Sequence, residues 1–386
     1  MSLGSIILFF YCLLSALVYL GLMLYFRQGL KKNSTPSIQS KNSITFISVV
    51  VCFRNEESNL PELLESLVSQ HYPVNNYEII LYNDASNDAS MAIIKKFQAQ
   101  YTAPLIICRD VPLKQGANSP KKLALNDAAS KSNAELIVVT DADCTLNANW
   151  LVLIEQSYLQ ENALMITGPV ATKKGRGWLN ELQYIELQAL AAVSAGAIGH
   201  KNAIMCNGAN LGFNRKAFLS LDPYKYNLHI SSGDDMFLLL QMQHYHKNRI
   251  VYLAHAESVV YTKGKEHLRD YLNQRVRWAS KSNSYQQYVI IGVALLVLNF
   301  NAIPLFIPLL ALKIKWIYVL VLFVSLILIK QTADILLLSR FSKQVGMKVN
   351  YWKLLLFQYI EALLTLLVAI KSIKGSYVWK ERKQHF

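Results

Sequence analysis

The chain has 386 residues, of which 53% are hydrophobic, and its formal net charge at pH 7 is +14. This composition is too apolar for a soluble protein of this size, and it excludes an intrinsically disordered chain. The excess positive charge would suit a nucleic-acid-binding protein or a membrane protein, so its distribution along the chain decides between these classes.

Most of the excess positive charge lies in three short stretches that adjoin apolar runs. Residues 27–41, 338–353 and 371–386 each carry a net charge of +4, which accounts for 12 of the 14 charges. Residues 42–281 contain 23 basic and 22 acidic side chains and are nearly neutral. We therefore predict that the basic stretches lie at a membrane surface and that the chain binds no nucleic acid.

The cysteine spacing excludes two common structural devices. No two cysteines form a CxxC pair, and no histidine lies near them at the spacing of a zinc site, so neither a disulfide framework nor structural zinc is predicted. Scattered thiols are typical of a domain in the reducing cytosol. The five cysteines are Cys12, Cys52, Cys108, Cys144 and Cys206.

The first membrane segment is predicted near the N-terminus. Residues 5–26 hold no charged side chain, and at about 1.5 Å per residue they cover roughly 33 Å, enough to span a bilayer. A cleaved signal peptide is disfavoured because the apolar run is too long and the basic residues follow it. We predict an anchor over residues 1–27 and a basic linker over residues 28–43, with the chain beyond Arg27 in the cytosol.

Three further apolar runs predict membrane or interfacial helices over residues 282–374, followed by a basic tail over residues 375–386. Lys330 and Asp334 interrupt the second run at i, i+4 spacing, so they could pair on one helix face. The polar residues in these runs could line a substrate path or form hydrogen bonds between helices. The runs cover residues 282–312, 316–338 and 354–370.

The membrane topology of the C-terminal part stays open at this point. The loop at residues 338–353 and the tail at residues 371–386 are both basic, yet one predicted crossing separates them. Either one segment is interfacial or re-entrant, or the charge rule fails locally. The location predicted for the whole chain is the cell (inner or plasma) membrane, as a multi-pass protein with a cytosolic catalytic domain.

Strand and helix patterns alternate through residues 44–281. Thr45 to Cys52 is a β-branched run typical of a strand buried on both faces, and the next helix has Asn59 as a possible N-cap and Pro61 in its first turn. Such alternation predicts an α/β domain with a mostly parallel sheet. Strands are predicted over residues 45–52, 77–82, 105–108, 135–140 and 164–170, and helices over residues 60–68, 89–97, 121–129 and 149–159.

Acidic side chains follow three of the predicted strands. Glu56 comes after the first strand, Asp84 after the second, and Asp141 and Asp143 after the fourth. Ligands of parallel sheets bind beyond these carboxyl ends, and no GxGxxG follows any strand. Because carboxylates repel phosphate unless a divalent cation lies between them, we predict a nucleoside diphosphate held through Mg²⁺ or Mn²⁺.

Each acidic motif has an ordinary structural explanation when it is taken alone. A DxD is also common in solvated turns, and Asp84 could cap a helix. The order and spacing of several motifs carry the identification. Residues 83–88 (NDASND), 121–126 (KKLALN), 141–143 (DAD), 233–235 (GDD) and 274–278 (QRVRW) occur in this order.

With these motifs, the chain resembles a membrane-bound family 2 glycosyltransferase of the GT-A fold, in the branch that contains polysaccharide synthases and ceramide glucosyltransferases. The resemblance covers roughly residues 45–281, and QxxRW at residues 274–278 is its most specific element. It implies a Rossmann-like, mostly parallel sheet with transmembrane helices beside it. Asn83 and Ala85 depart from the family's Asp-Asp-Gly-Ser pattern, and Pro120 replaces its Gly before the lysine.

The resemblance also implies roles for individual residues. Asp235 would be the general base, with Asp234 beside it, and Asp143 and Asp141 would bind the metal. Arg277 suits bidentate contact with phosphate oxygens, because its guanidinium carries a planar fork of donors. The expected donor contacts are Asp84, Glu56, Lys121, Asp141, Gln274, Arg277 and Trp278.

Two further segments, residues 178–199 and 208–213, lie between the DAD and GDD motifs. Residues 178–199 read as a helix that either rests on the membrane surface, as in the family, or packs in the core. Residues 208–213 resemble the family's segment at the acceptor and donor-sugar wall, and their two glycines indicate close backbone approach. Lys121 is either a donor contact or a solvated surface lysine.

The predicted activity is inverting transfer of a sugar from a nucleotide-sugar, with a UDP-sugar favoured, to a polysaccharide or lipid acceptor at the cytosolic membrane face. A processive polysaccharide synthase and a single-transfer glycolipid synthase both remain open, as does an oligomer or partner subunit. A transporter or channel subunit with a nucleotide-binding domain is the alternative from another class. The absence of a Walker-type GxxxxGK[ST] argues against an ATP-driven pump.

Overall fold

The computed structural model describes residues 3–38, 44–280, 288–308, 315–372, 376–379 and 382–385. Parts of the predicted linker, of the first C-terminal apolar run and of the basic tail therefore lie outside the described residues. Within the described chain, the strand and helix alternation is followed by long apolar helices, as the sequence predicts.

The central element is a seven-stranded sheet in the order β3-β2-β1-β4-β8-β6-β9. Every strand of this sheet except β8 runs in the same direction, which confirms the predicted mostly parallel sheet. Strands β1, β2 and β4 are almost entirely buried, as expected for strands covered on both faces, whereas the edge strand β3 is mostly half-buried or exposed. The strands are β1 (Ile47–Phe53), β2 (Tyr77–Asn83), β3 (Leu105–Asp110), β4 (Leu136–Asp141), β6 (Met165–Thr167), β8 (Leu211–Asn214) and β9 (Ile250–Tyr252).

A smaller sheet shows where the strand prediction over residues 164–170 is wrong. This segment forms β6 and then β7 (Val170–Thr172), which pairs with β10 (Val260–Thr262), and β10 pairs in turn with β5 (Cys144–Thr145). The strand breaks at Gly168-Pro169, because proline has no N–H to donate to a ladder. The break turns the chain from the large sheet into the small one.

Helices cover the sheet near their predicted positions, and Asn59 lies at the predicted N-cap position of the helix that follows β1. The side chain of Asn59 makes no capping hydrogen bond and instead donates to the Glu56 carboxylate over 2.6 Å. The helices are α2 (Leu60–Val68), α3 (Ser90–Gln100), α4 (Pro120–Lys131), α5 (Trp150–Gln160), α6 (Trp178–Gly199), α7 (Arg215–Leu221), α8 (Asp234–His246) and α9 (Leu268–Ala279).

Four helices of the described chain are long and apolar enough to cross a membrane. The predicted pair within the second C-terminal run is confirmed, because the Lys330 ammonium lies 2.7 Å from an Asp334 oxygen inside one continuous helix. The Tyr19 hydroxyl donates to the other Asp334 oxygen over 2.6 Å, so these polar groups join two helices. The four helices are α1 (Leu3–Gly29), α10 (Tyr288–Phe306), α11 (Trp316–Gln344) and α12 (Tyr351–Ser372).

Helix α6 connects the α/β domain to α1, the helix predicted to be the membrane anchor. Gly196 and Gly199 face the backbone of Phe26 and Gly29 so closely that a Cβ at either position would overlap with backbone atoms. Only glycines permit this approach, as in other close helix pairs. Most of the second half of α6 is buried, which favours the core-helix alternative over a helix that only rests on a membrane surface.

The α1–α6 contact yields a stability prediction with an internal control. Gly196→Ala places a Cβ against the Phe26 backbone, so we expect the free energy of unfolding to fall by about 2 kcal/mol. Gly21→Ala on α1 meets nothing within 4 Å and should be neutral or stabilising, because alanine favours helix. Thermal unfolding in detergent measures both variants. Equal unfolding midpoints for Gly196→Ala and Gly21→Ala would contradict the close backbone contact between α1 and α6.

Candidate active site

The predicted acidic side chains lie at one edge of the large sheet. The strand register pairs Cys52 of β1 with Asp141 of β4, and Phe53 of β1 with Asn83 of β2. Because these strands are parallel, the residues that follow them emerge together at the carboxyl edge. Glu56, Asp84 and the Asp141–Asp143 turn therefore begin from adjacent strand ends, as the alternating pattern predicts.

Lys121 lies at the centre of the acidic cluster. Its ammonium is 2.6 Å from an Asp141 oxygen and 3.4 Å from an Asp234 oxygen, and its side chain is 22% exposed. Burial alone would lower the Lys121 pKa, but the Asp141 and Asp234 carboxylates outweigh burial and raise the pKa above its ordinary value. The alternative that Lys121 is a solvated surface lysine is therefore wrong.

Asp234 and Asp235 form the first turn of helix α8. Gly233 precedes them with a positive φ of 80°, a conformation that glycine adopts without strain. The positive end of the helix dipole favours carboxylates at this position. Asp235 accepts hydrogen bonds from its neighbour Met236 N–H over 2.8 Å and from Gly208 N–H over 3.1 Å. Two backbone donors thus fix the orientation of the Asp235 carboxylate.

Gly208 brings the other side of the cluster close to these acids. A Cβ at this position would lie 3.3 Å from each of the Asp234 carboxylate, the Asp235 Cβ and the Lys121 ammonium. Its carbonyl also lies 3.4 Å from Lys121 Nζ. The predicted close backbone approach in residues 208–213 therefore occurs at Gly208.

The residues after Gly208 in the segment 208–213 stabilise the packing of the two sheets. Asn210 is buried and donates to the carbonyls of Pro169 and Ser258, and its side-chain oxygen accepts from the Trp150 indole. Phe213 lies inside β8. These residues hold the small sheet against the large one and do not face the acidic cluster directly.

Asp143 lies in an electronegative environment next to the small sheet. Burial raises the pKa of Asp143 above its ordinary value, as do the neighbouring carboxylates of Asp141 and Glu56, whereas the Lys265 ammonium and a hydrogen bond from Thr262 oppose the rise. Two carboxylates and a third nearby acid gather here around limited positive charge. Such a site favours an added cation.

The donor set fits a divalent cation that the substrate completes. No group of three metal-ligating side chains occurs among the described residues. Asp141 and Asp143 nevertheless supply two carboxylates, and Mg²⁺ is commonly bound by one or two carboxylates together with substrate phosphates and water. The residues present therefore fit a cation that binds together with a diphosphate.

The predicted nucleoside side lies around the end of β2. Asp84 is 9% exposed, its N–H donates to the Phe53 carbonyl over 2.9 Å, and its own carbonyl accepts from the Arg54 guanidinium over 2.8 Å. Glu56 accepts from the Asn59 side chain at the start of α2. Asp84 is thus held by contacts between the loops that follow β1 and β2, and Glu56 by a contact within the first of these loops.

The QxxRW residues lie on helix α9, which begins shortly after Lys265. Gln274 accepts a hydrogen bond of 2.7 Å from Arg275, and the Arg275 guanidinium lies 4.2 Å from the Trp278 ring. Lys265 acts on Asp143 electrostatically, so the segment that leads into α9 adjoins the acidic cluster. The described contacts orient Gln274 and Trp278 through Arg275 and do not join them to the acids directly.

Lys122 is a structural residue of the site that sequence reasoning missed. Its side chain is buried, and its ammonium donates to the carbonyls of Asn227 and Ile230 over 2.7 Å and 3.0 Å. Burial lowers the pKa of Lys122 to about 8, against the opposing effect of the Asp234 and Asp235 carboxylates. The bonds anchor the loop that leads into α8. The resemblance that singles out Lys121 assigns no role to Lys122, so no sequence signal marks this residue.

Two family models match the chain. The model described as Glycosyl transferase family 2 matches residues 48–221, and the model described as Glycosyl transferase family group 2 matches residues 136–370. Together they cover the large sheet, the acidic cluster, QxxRW and the C-terminal apolar helices.

Curated relatives and a solved structure agree with these models. A hyaluronan synthase of Streptococcus pyogenes is 24% identical over 321 residues, which are 76% of this chain and 74% of that enzyme. A beta-monoglucosyldiacylglycerol synthase of Trichormus variabilis is 25% identical over 36% of this chain but only 30% of its own length. The mannosyltransferase PcManGT from Pyrobaculum calidifontis, solved with GDP-Man and Mn²⁺, has a TM-score of 0.54 at 13% identity, over 94% of this chain and 97% of that one. This likeness confirms the predicted GT-A fold.

Replacement of Lys121 tests its role among the acids. Lys121→Met leaves Asp141 and Asp234 without the ammonium between them, so we expect the free energy of unfolding to fall by about 2 kcal/mol. Lys131→Met is the control, because Lys131 forms an exposed pair with Asp127 and should cost less than about 1 kcal/mol. Thermal unfolding midpoints of the two variants give the comparison. Equal losses would mean that Lys121 does not hold the acids together.

Proposed function

Because the chain belongs to the family 2 glycosyltransferases, we propose that it transfers a sugar, with inversion at the anomeric carbon, from a nucleotide-sugar donor to a glycan or lipid acceptor. The proposed location is the cytosolic face of the cell membrane. The observation that carries the proposal is the cluster in which Lys121 contacts Asp141 and Asp234 while Gly208 contacts Asp235.

The proposed general base is Asp235. Inversion requires a base that removes the proton from the acceptor hydroxyl as its oxygen attacks the anomeric carbon. The Gly208 and Met236 N–H groups orient this carboxylate at the start of α8. Asp234, whose side chain is 11% exposed and close to Lys121, supports the turn and the local charge balance. A carboxylate held in a fixed orientation lowers the entropic cost of reaching the reactive geometry.

The proposed cation site consists of Asp143 with Asp141. A bound Mg²⁺ or Mn²⁺ would neutralise charge on the departing diphosphate. Asp141 already contacts Lys121, so this ammonium would lie beside the same phosphates. Arg277 is proposed to contact phosphate oxygens, for which its planar fork of donors is suited. PcManGT, the solved neighbour with Mn²⁺, supports cation dependence for this fold.

The proposed nucleoside contacts are Asp84 and Glu56, and a UDP-sugar is the proposed donor. The solved neighbour contains GDP-Man, so GDP-sugars are the alternative donors to test. Gln274 and Trp278 are proposed to border the sugar and the acceptor, since the flat indole face suits packing against a sugar ring. Donor and acceptor would then meet between the carboxyl edge of the sheet and helix α9.

Two classes of acceptor, a glycan and a lipid, are proposed. The similarity to a hyaluronan synthase supports a growing glycan, and the similarity to a beta-monoglucosyldiacylglycerol synthase supports a lipid. The four apolar helices and the basic flanks support a membrane-bound enzyme in either case. We propose residues 44–281 as the catalytic domain and residues 282–374 as membrane or interfacial helices, with an oligomer or partner subunit as a further possibility for a polymer-secreting enzyme.

The function is tested with membranes that contain the chain and a panel of radiolabelled UDP- and GDP-sugars, with Mn²⁺ or Mg²⁺. We expect label from one donor to enter a product. Label in the organic phase identifies a lipid acceptor, and label in high-mass material identifies a glycan. Membranes without the chain are the control. No incorporation from any donor, with nucleotide binding intact, would favour the alternative of a transporter subunit with a nucleotide-binding domain.

The base assignment predicts a specific loss of turnover. Asp235→Asn preserves the size of the side chain but removes its basicity, so we expect transfer to fall by at least about 100-fold, within the range of general-base effects. The amide oxygen can accept from the Met236 or the Gly208 N–H, whereas the amide NH₂ cannot accept the other hydrogen bond. UDP affinity should change little. Asp222→Asn, at an exposed position, is the matched control. Transfer at the wild-type rate by Asp235→Asn would exclude this base.

The cation assignment predicts a selective loss of diphosphate binding. Asp143→Ala removes one proposed cation ligand. We therefore expect the gain in UDP affinity on addition of Mn²⁺ to be about tenfold smaller than in the wild type. Uridine has no diphosphate, and its affinity should stay unchanged. Calorimetric titrations of UDP and uridine, each with and without Mn²⁺, measure the effect. An unchanged Mn²⁺ dependence for UDP would remove Asp143 from the cation site.

A further inference from the structure

A buried ion pair joins helix α9 to helix α6. Two nitrogens of the Arg275 guanidinium take part: Nε donates to one Glu186 oxygen over 2.7 Å, and Nη2 donates to the other over 2.6 Å. The Tyr271 hydroxyl adds a hydrogen bond of 3.1 Å to the same carboxylate. Arg275 is 7% exposed, so this bidentate pair is shielded from solvent. Bidentate arginine–carboxylate pairs combine energy with a fixed geometry.

The same guanidinium contacts the motif residues on either side of it. Its centre lies 4.5 Å from the Tyr271 ring and 4.2 Å from the Trp278 ring. Its Nη1 atom donates to the Gln274 side-chain oxygen over 2.7 Å. One planar group therefore sets the orientation of both Gln274 and Trp278. Arg275 occupies a position that QxxRW leaves unspecified, so the motif gives no reason to expect this role.

The surroundings make this arrangement rigid. Leu179 and Leu182 of α6 and Tyr271 and Leu272 of α9 form one apolar cluster with Leu364 of the membrane helix α12. The cluster joins three helices, and its member Tyr271 contacts both Arg275 and Glu186. An arginine that is fixed by a carboxylate on a second helix cannot change rotamer without breaking several contacts at once. The contact between α6 and α9 thus holds Gln274 and Trp278 in place through Arg275.

We propose that Arg275, held by Glu186, is the positioning residue that keeps Gln274 and Trp278 in the geometry required for sugar transfer. This inference rests on the proposed function. A lysine cannot replace Arg275, because a point charge has neither the planar fork nor the flat faces that stack on rings. Displacement of a substrate-positioning group by about 1 Å costs on the order of 100-fold in rate.

The test compares Arg275→Lys with Arg269→Lys, which makes the same charge-conserving substitution at an exposed position of the same helix. We expect kcat, normalised to UDP-binding sites, to fall about 100-fold in Arg275→Lys, with the UDP Kd within threefold of the wild type. Arg269→Lys should match the wild type. A purely structural role would reduce the number of UDP-binding sites and leave kcat per site unchanged, and that result would overturn the proposal.

A second variant keeps the test decisive if Arg275→Lys does not fold. Glu186→Gln retains the size of the side chain and loses the charge that holds Arg275, so it should show the same selective fall in kcat per site. Acrylamide quenching of Trp278, obtained by subtraction of matched Trp278→Phe proteins, should increase in both variants. This readout needs no turnover, so it separates failure of the positioning role from failure of the proposed transferase activity. Unchanged quenching would overturn the positioning role.

Discussion

The placement of one ammonium between two carboxylates is the interaction on which the candidate site depends. Asp141 ends β4 and Asp234 begins α8, and like charges from these two elements would repel each other without Lys121 between them. Lys121 comes from a third element, the first turn of α4. The helix dipole at α8 and the Gly208 N–H complete the local charge balance. The acids can therefore converge at the place proposed for a cation-bound diphosphate.

Contacts of helix α6 connect the α/β domain to the long apolar helices. Backbone contact between Gly196 of α6 and Phe26 of α1 ties the domain to its anchor. In the first half of α6, Glu186 binds Arg275 of α9, and α9 packs against α12. Helix α6 thus links the anchor to the QxxRW helix, which suits an enzyme whose acceptor arrives from, or leaves into, a bilayer.

The sequence predicts the parts of the site that depend on local patterns. Buried β-branched runs locate the strands, and a parallel sheet then requires the acids after them to share one edge, as Asp84 and Asp141 do. The sequence does not predict the strand break at Gly168-Pro169 or the hydrogen bonds of the Asn210 side chain beside this break. The Glu186–Arg275 pair also escapes prediction, because the two residues are far apart in sequence and neither carries a motif signal. Long-range packing decides such contacts.

The most direct test of the central claim is a cryo-electron microscopy map of the chain in lipid nanodiscs with UDP and Mn²⁺. The account predicts Mn²⁺ density on the Asp143 and Asp141 carboxylates, with the diphosphate between that cation and Lys121 and with Asp235 facing the vacant sugar position. Nucleotide bound away from the carboxyl edge of the sheet, or Mn²⁺ bound to other residues, would contradict it.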